Sequence, residues 1–72
     1  MAEIKAELNG VVREIISAAG AVVAEGDDVM IVESMKMEIP VVAPCAGTVS
    51  AVAVAVDEAV VKGQLLVTLD PA

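Results

Sequence analysis

The sequence predicts an all-β sandwich or barrel made of two related halves, and three observations predict it. The 72-residue chain has no Phe, Tyr, Trp or His, and its apolar residues are almost all Val, Ala, Ile, Leu and Met. Small and β-branched side chains, with few long ones, suit thin β layers better than thick helix packing. Short apolar runs alternate with turn residues at intervals of about eight to twelve residues, the spacing of a sandwich or barrel. The chain also repeats itself: a shift of 37 residues lays Gly10 on Gly47 and Gly26 on Gly63.

The elements follow in order. Residues 4–8 alternate apolar and polar and stop at Asn9-Gly10. Residues 11–16 form a second run, after which Gly20 and then Glu25-Gly26-Asp27-Asp28 mark turns. Residues 29–32 and 37–42 are two further runs, and Pro44 and Gly47 frame the turn after them. Residues 49–56 alternate, Asp57-Glu58 and Lys62-Gly63-Gln64 mark turns, and residues 65–69 close the chain. No stretch has a convincing helical period. The composition of residues 11–23 would tolerate a helix, but the repeat favours strands there.

The repeat makes one domain, residues 1–72, of two halves at about 4–35 and 41–72. The shift also lays Val12 on Val49, Val23 on Val60, Ile4 on Val41, Ala6 on Ala43, Ile15 on Val52, Val29 on Leu66 and Val32 on Leu69. A chain so rich in Val and Ala matches itself by chance, so the rarer glycines carry the signal; they recur where a backbone needs positive φ or close approach. Two such halves would pack face to face about a pseudo-twofold axis. The connection between them is centred near Met35-Lys36, and the same shift carries it to the chain terminus. The termini should therefore share one end, with Met35-Lys36 projecting from the other.

Charge and composition exclude several classes. The net charge is -7, from 11 acids and 4 bases, with no aromatic residue. Nucleic-acid binding requires phosphate-neutralising cations and often stacking rings, and anionic membrane surfaces also need cations, so neither partner is expected. Residues 39–56 carry no charge, but Pro40, Pro44, Gly47, Thr48 and Ser50 mark strands with a bend, not a membrane span. The N-terminus, Met1-Ala2-Glu3-Ile4-Lys5, lacks the pattern of a secretory signal. Cys45 is the single cysteine, so there is no internal disulfide, which suits a reducing cytoplasm. A catalytic thiol would need a base, and the chain has no histidine. No metal-ligand cluster or phosphate loop appears either.

The segment Val32-Glu33-Ser34-Met35-Lys36-Met37-Glu38-Ile39-Pro40 carries the chemistry. Apolar runs on both sides predict a tight hairpin, yet its tip lacks the Gly, Asn or Asp that two-residue hairpins favour. Two methionines bracket a lysine instead. Sequences break local rules mostly at functional sites. The methionines either fill the hairpin's own core or form a soft apolar patch for a partner. Glu33 and Glu38 flank the lysine; in so small a domain they fit recognition or solubility better than acid/base work.

Glu33-Ser34-Met35-Lys36-Met37 resembles the biotin attachment motif of the biotinyl/lipoyl domain family. Gly26-Asp27-Asp28-Val29, Ala43-Pro44-Cys45-Ala46-Gly47-Thr48-Val49 and Val60-Val61-Lys62-Gly63-Gln64-Leu65-Leu66 resemble the segments around it, so the resemblance covers residues 4–69. It implies a flattened barrel of two small antiparallel sheets with the modified lysine on a tight hairpin. It further implies a biotin carboxyl carrier without catalytic groups. Lys36 would hold covalent biotin, attached by a biotin protein ligase, and move carboxyl groups between a biotin carboxylase and a carboxyltransferase. Met35, Met37, Glu33 and Ser34 would serve ligase recognition and positioning. One departure is Asp57, where the family usually has glycine, which bears on the turn before Val60. No extra protruding loop is present, so the chain resembles a free-standing attachment protein or the carrier segment of a carboxylase or decarboxylase. A lipoyl-type acyl carrier is the closest alternative, but such domains typically show Asp before and Ala after the lysine. An unmodified structural hairpin domain is the second.

Overall fold

In the computed structural model, which describes residues 1–72, the apolar runs become eight strands and no helix. The first half supplies β1 (Ala2–Lys5), β2 (Gly10–Ile15), β3 (Val22–Val23) and β4 (Asp28–Ser34). The second supplies β5 (Met37–Val42), β6 (Gly47–Val52), β7 (Ala59–Val60) and β8 (Leu65–Pro71). They form two antiparallel four-stranded sheets, ordered β1-β8-β6-β3 and β5-β4-β2-β7. The all-β, two-sheet class read from the sequence is the class observed.

The halves meet differently from the expectation. Each sheet takes two strands from each half, so the halves interlock rather than stacking as separate layers. Asn9-Gly10 is consequently a crossing between sheets and not a hairpin, since β1 and β2 lie in different sheets. The run expected over residues 49–56 leaves its strand after Val52, and Val54 turns into the core. β3 and β7 have two residues each, too short to show any period in the sequence.

The pseudo-twofold is visible bond by bond. The Gly20 amide donates to Val49 O at 2.8 Å, and the Asp57 amide donates to Val12 O at 2.7 Å. Val49 N donates to Ala21 O at 2.8 Å, and Val12 N to Glu58 O at 2.9 Å. The register breaks between Val12 and Glu14 match those between Val49 and Ala51. The core obeys the same rule. Its fourteen residues include the pairs Ala6/Ala43, Val12/Val49, Val23/Val60, Val29/Leu66, Met30/Val67 and Val32/Leu69.

Two repeated features have separate causes. At Gly10 a Cβ would lie 2.5 Å from Glu33 O and 2.7 Å from Val32 Cγ1. At Gly47 it would run into Asp70 O and lie 2.9 Å from Pro71 Cα. Here the need is close approach between strands, not positive φ. Gly20 and Asp57, related by the repeat, both need positive φ, 93° and 73°. Asp tolerates the left-handed region better than most side chains, so the turn survives the departure from glycine.

The framework sets the ends. β8 runs from Leu65, paired with Lys5, to Pro71, paired with Gly47, so residues 44–47 and both termini share one end. The β4–β5 hairpin tip lies at the other end of a body 34 Å long and 17 Å across. β5 is an edge strand, and Pro40 within it removes an amide that could recruit another strand. Gly47→Ala is expected to lower unfolding free energy by about 2 kcal/mol, because the added methyl meets backbone on its partner strand. Urea denaturation measures this, and a change within error would contradict the close-approach account.

Candidate functional site

The site is built at the hairpin tip. β4 and β5 pair from Asp28↔Val42 up to Ser34↔Met37, which leaves only Met35 and Lys36 to turn the chain. Their φ values are 54° and 65°, the positive pair of a type I′ hairpin turn. That geometry matches the twist of the strands, but it disfavours any residue with a Cβ by about 1–2 kcal/mol. The tightness of the turn was legible in the sequence; its handedness was not, because Met and Lys are poor signals for it.

The turn projects three side chains. Met35 is 89% exposed and Met37 64%, so neither fills a core. Lys36 is exposed and takes part in none of the three ion pairs of the chain. The result is an unpaired amine between two exposed thioethers.

The neighbours on β4 point elsewhere. Ser34 is buried, and its hydroxyl donates to Asn9 O at 2.7 Å. Glu33 is half-buried and accepts from Arg13 Nε at 2.6 Å. The hydrogen bond and charge of Glu33 raise the Arg13 guanidinium above its ordinary pKa, with smaller help from Asp57, whose Oδ1 lies 3.4 Å from Nη1. Arg13 reaches both acids because it sits in the register break of β2, where a bulge re-aims the side chain. Glu38 lies opposite Glu33 across the hairpin and stays exposed. The structure thus separates the residues singled out by the motif. Met35, Lys36 and Met37 face outwards, while Glu33 and Ser34 are tied to the framework.

Asn9, Arg13 and Lys62 were not legible as part of this end. Asn9 Oδ1 accepts from the Lys62 amide at 2.8 Å, which joins the loops before β2 and before β8 beneath the hairpin. One signal was available: under the 37-residue shift Asn9 falls on Ala46, a change of chemistry where the flanking glycines match.

Known proteins share this architecture. Residues 10–69 match the family described as biotin-requiring enzyme. The chain is 41% identical over 67 residues to a "Biotinylated protein TB7.3 homolog" of Mycobacterium leprae (strain TN), covering 93% of this chain and 94% of that one. It is also 41% identical over 69 residues to pyruvate carboxylase of Bacillus subtilis (strain 168), covering 96% of this chain but 6% of that enzyme. Among solved structures, a single-chain, multi-domain long-chain acyl-CoA carboxylase superposes with a TM-score of 0.93 at 28% identity, covering 99% of this chain and 7% of that one.

The tip geometry predicts a conflict between stability and site. Replacing Met35-Lys36 by Asn-Gly, the pair a type I′ turn favours, should raise unfolding free energy by about 1–2 kcal/mol. A higher urea midpoint at unchanged slope is the expected reading. A lower midpoint would show that the tip is not strained.

Proposed function

The chain belongs to the biotin/lipoyl family of biotin-requiring enzymes, and on that premise we propose that it is a biotin carboxyl carrier with Lys36 as the attachment residue. The observation that carries the assignment to Lys36 is its place: an unpaired amine at the tip of a two-residue turn, between two exposed methionines. The other lysines differ. Lys5 is on β1 beside Glu3, and Lys62 lies in a loop whose amide is held by Asn9.

The residues fit a covalently held acyl group. An amide bond to the carboxyl of biotin needs a reachable primary amine, and Lys36 offers one on a four-carbon stem clear of the strands. The ammonium must lose a proton before its lone pair attacks the acyl carbon of biotinyl-adenylate, and the acyl–phosphate bond breaks to release adenylate as the amide forms. Glu33 is committed to Arg13 and Glu38 forms no ion pair with Lys36, so alignment and deprotonation fall to a biotin protein ligase. Met35 and Met37 give that ligase a soft apolar patch that adapts to a pocket. Glu33 and Ser34 serve by holding the strand from which the tip projects.

When bound, biotin supplies a ureido nitrogen that takes up and releases a carboxyl group. The partners are then a biotin carboxylase, which loads it, and a carboxyltransferase, which unloads it. The domain contributes reach and a high effective concentration at each site rather than catalysis. The net charge of -7 becomes more negative on acylation, since the Lys36 cation is consumed. A cytoplasmic setting fits the single unpaired cysteine.

The test is an intact mass spectrum after co-expression with a biotin protein ligase and biotin, beside Lys36→Arg. One biotinyl group is expected on the unaltered chain and none on the variant. A chain that stays unmodified, or a modification that survives Lys36→Arg, would overturn the assignment.

A further inference from the structure

The pseudo-twofold gives the hairpin end an internal reference. Positions that obey the repeat belong to the shared framework, and a position that departs from it has a cause at its own end. Most turn contacts obey it. The Ala24 amide donates to Asp27 Oδ2 at 2.9 Å, and its counterpart, the Val61 amide, donates to Gln64 Oε1 at 3.1 Å.

The contacts around Asn9 do not. Its counterpart at the terminal end is Ala46, whose carbonyl accepts from the Ala72 amide at 3.0 Å. The amide corresponding to Ala72 belongs to Met35, which has entered the left-handed turn. At the hairpin end the Asn9 carbonyl accepts instead from the Ser34 hydroxyl, at 2.7 Å. Ser34 in turn stands where the other half has Pro71, which has no side-chain donor. The Asn9 side chain adds a bond that alanine could not make, Oδ1 to the Lys62 amide at 2.8 Å. Asn9 thus joins the hairpin base, through its main-chain carbonyl, to the loop before β8, through its side chain, and both ties are absent from the symmetry-related end.

From this we propose that Asn9 is a positioning residue for acylation of Lys36, a role that rests on the carrier reading. The hairpin tip is strained, because Met35 and Lys36 are both in the left-handed region, which opposes the turn. The Asn9 clamp counters this from below and fixes the direction in which the lysine leaves the body. A flexible four-carbon stem does not remove the need for this. The ligase grips the methionines, so a swivel of the turn moves the amine relative to the acyl carbon.

The experiment compares ligase kinetics, thermal midpoint and amide hydrogen exchange at residues 35–37 for the unaltered chain, Asn9→Ala and Asn9→Asp. Asn9→Ala is expected to lower kcat/KM roughly tenfold, mainly through kcat because the methionines still dock, and to speed exchange at the tip. Asn9→Asp keeps an oxygen acceptor for the Lys62 amide and is expected to restore both at a similar midpoint. Ser34→Ala removes the other tie and should act in the same direction, which keeps the test alive if Asn9→Ala does not fold. Equal rates and equal exchange in all variants would overturn the proposal, as would Asn9→Asp failing as fully as Asn9→Ala. Absence of acylation in the unaltered chain would overturn the carrier reading instead. Exchange then decides the clamp alone: faster in Asn9→Ala but not in Asn9→Asp supports it, and no change sinks it.

Discussion

The structure depends on a reciprocal pair of backbone crossings. The turn at Gly20 bonds to Val49 in the other half, and the turn at Asp57 bonds to Val12. Each half closes only by borrowing strands from its partner, so neither sheet exists without both. A chain of this size buries too little surface for two independent layers, and interlocking makes one shared core of small residues. The fully buried positions Val12, Val49, Val29 and Leu66 sit at the centre of that arrangement. Their symmetry relates the two layers: each is a copy of the other, so the core is built from matching small residues on both sides of the axis.

Rigidity of the body serves the tip. β4 and β5 are paired almost to the turn, which leaves two residues to reverse the chain and present one amine. The residues there conflict with the backbone they must adopt. The conflict is local, because the framework over-determines the hairpin from below through Ser34, Asn9 and the Arg13–Glu33 pair. The Arg13 contacts are exposed, and such pairs add little stability. Their effect is to keep Glu33 on the body and away from the proposed attachment lysine.

A carrier and its partner enzymes divide the chemistry. The exposed end offers an amine and two thioethers; Glu33 is bound to Arg13, and Glu38 makes no ion pair with Lys36. Two departures from the internal repeat, Asn9 and Ser34, lie where the function is proposed. Framework positions such as Gly10/Gly47 and Gly26/Gly63 repeat because geometry demands them. Asn9 and Ser34 break the repeat because only one end carries a hairpin.

The sequence by itself determined the β class, the repeat, the opposite placement of hairpin and termini, and the lysine between two methionines. These rest on residue type and spacing, which act locally or through a fixed period. Tertiary structure alone decided the rest. The interlocking of halves depends on which strands find partners across the axis, and β3 and β7 exist only through that pairing. The positive φ of Met35 and Lys36 is imposed by the strands they join, against their own preference. The tie between Asn9 and Ser34, 25 residues apart in the chain, appears only once β2 and β4 pair, because hydrogen bonds between distant segments leave no period in a sequence.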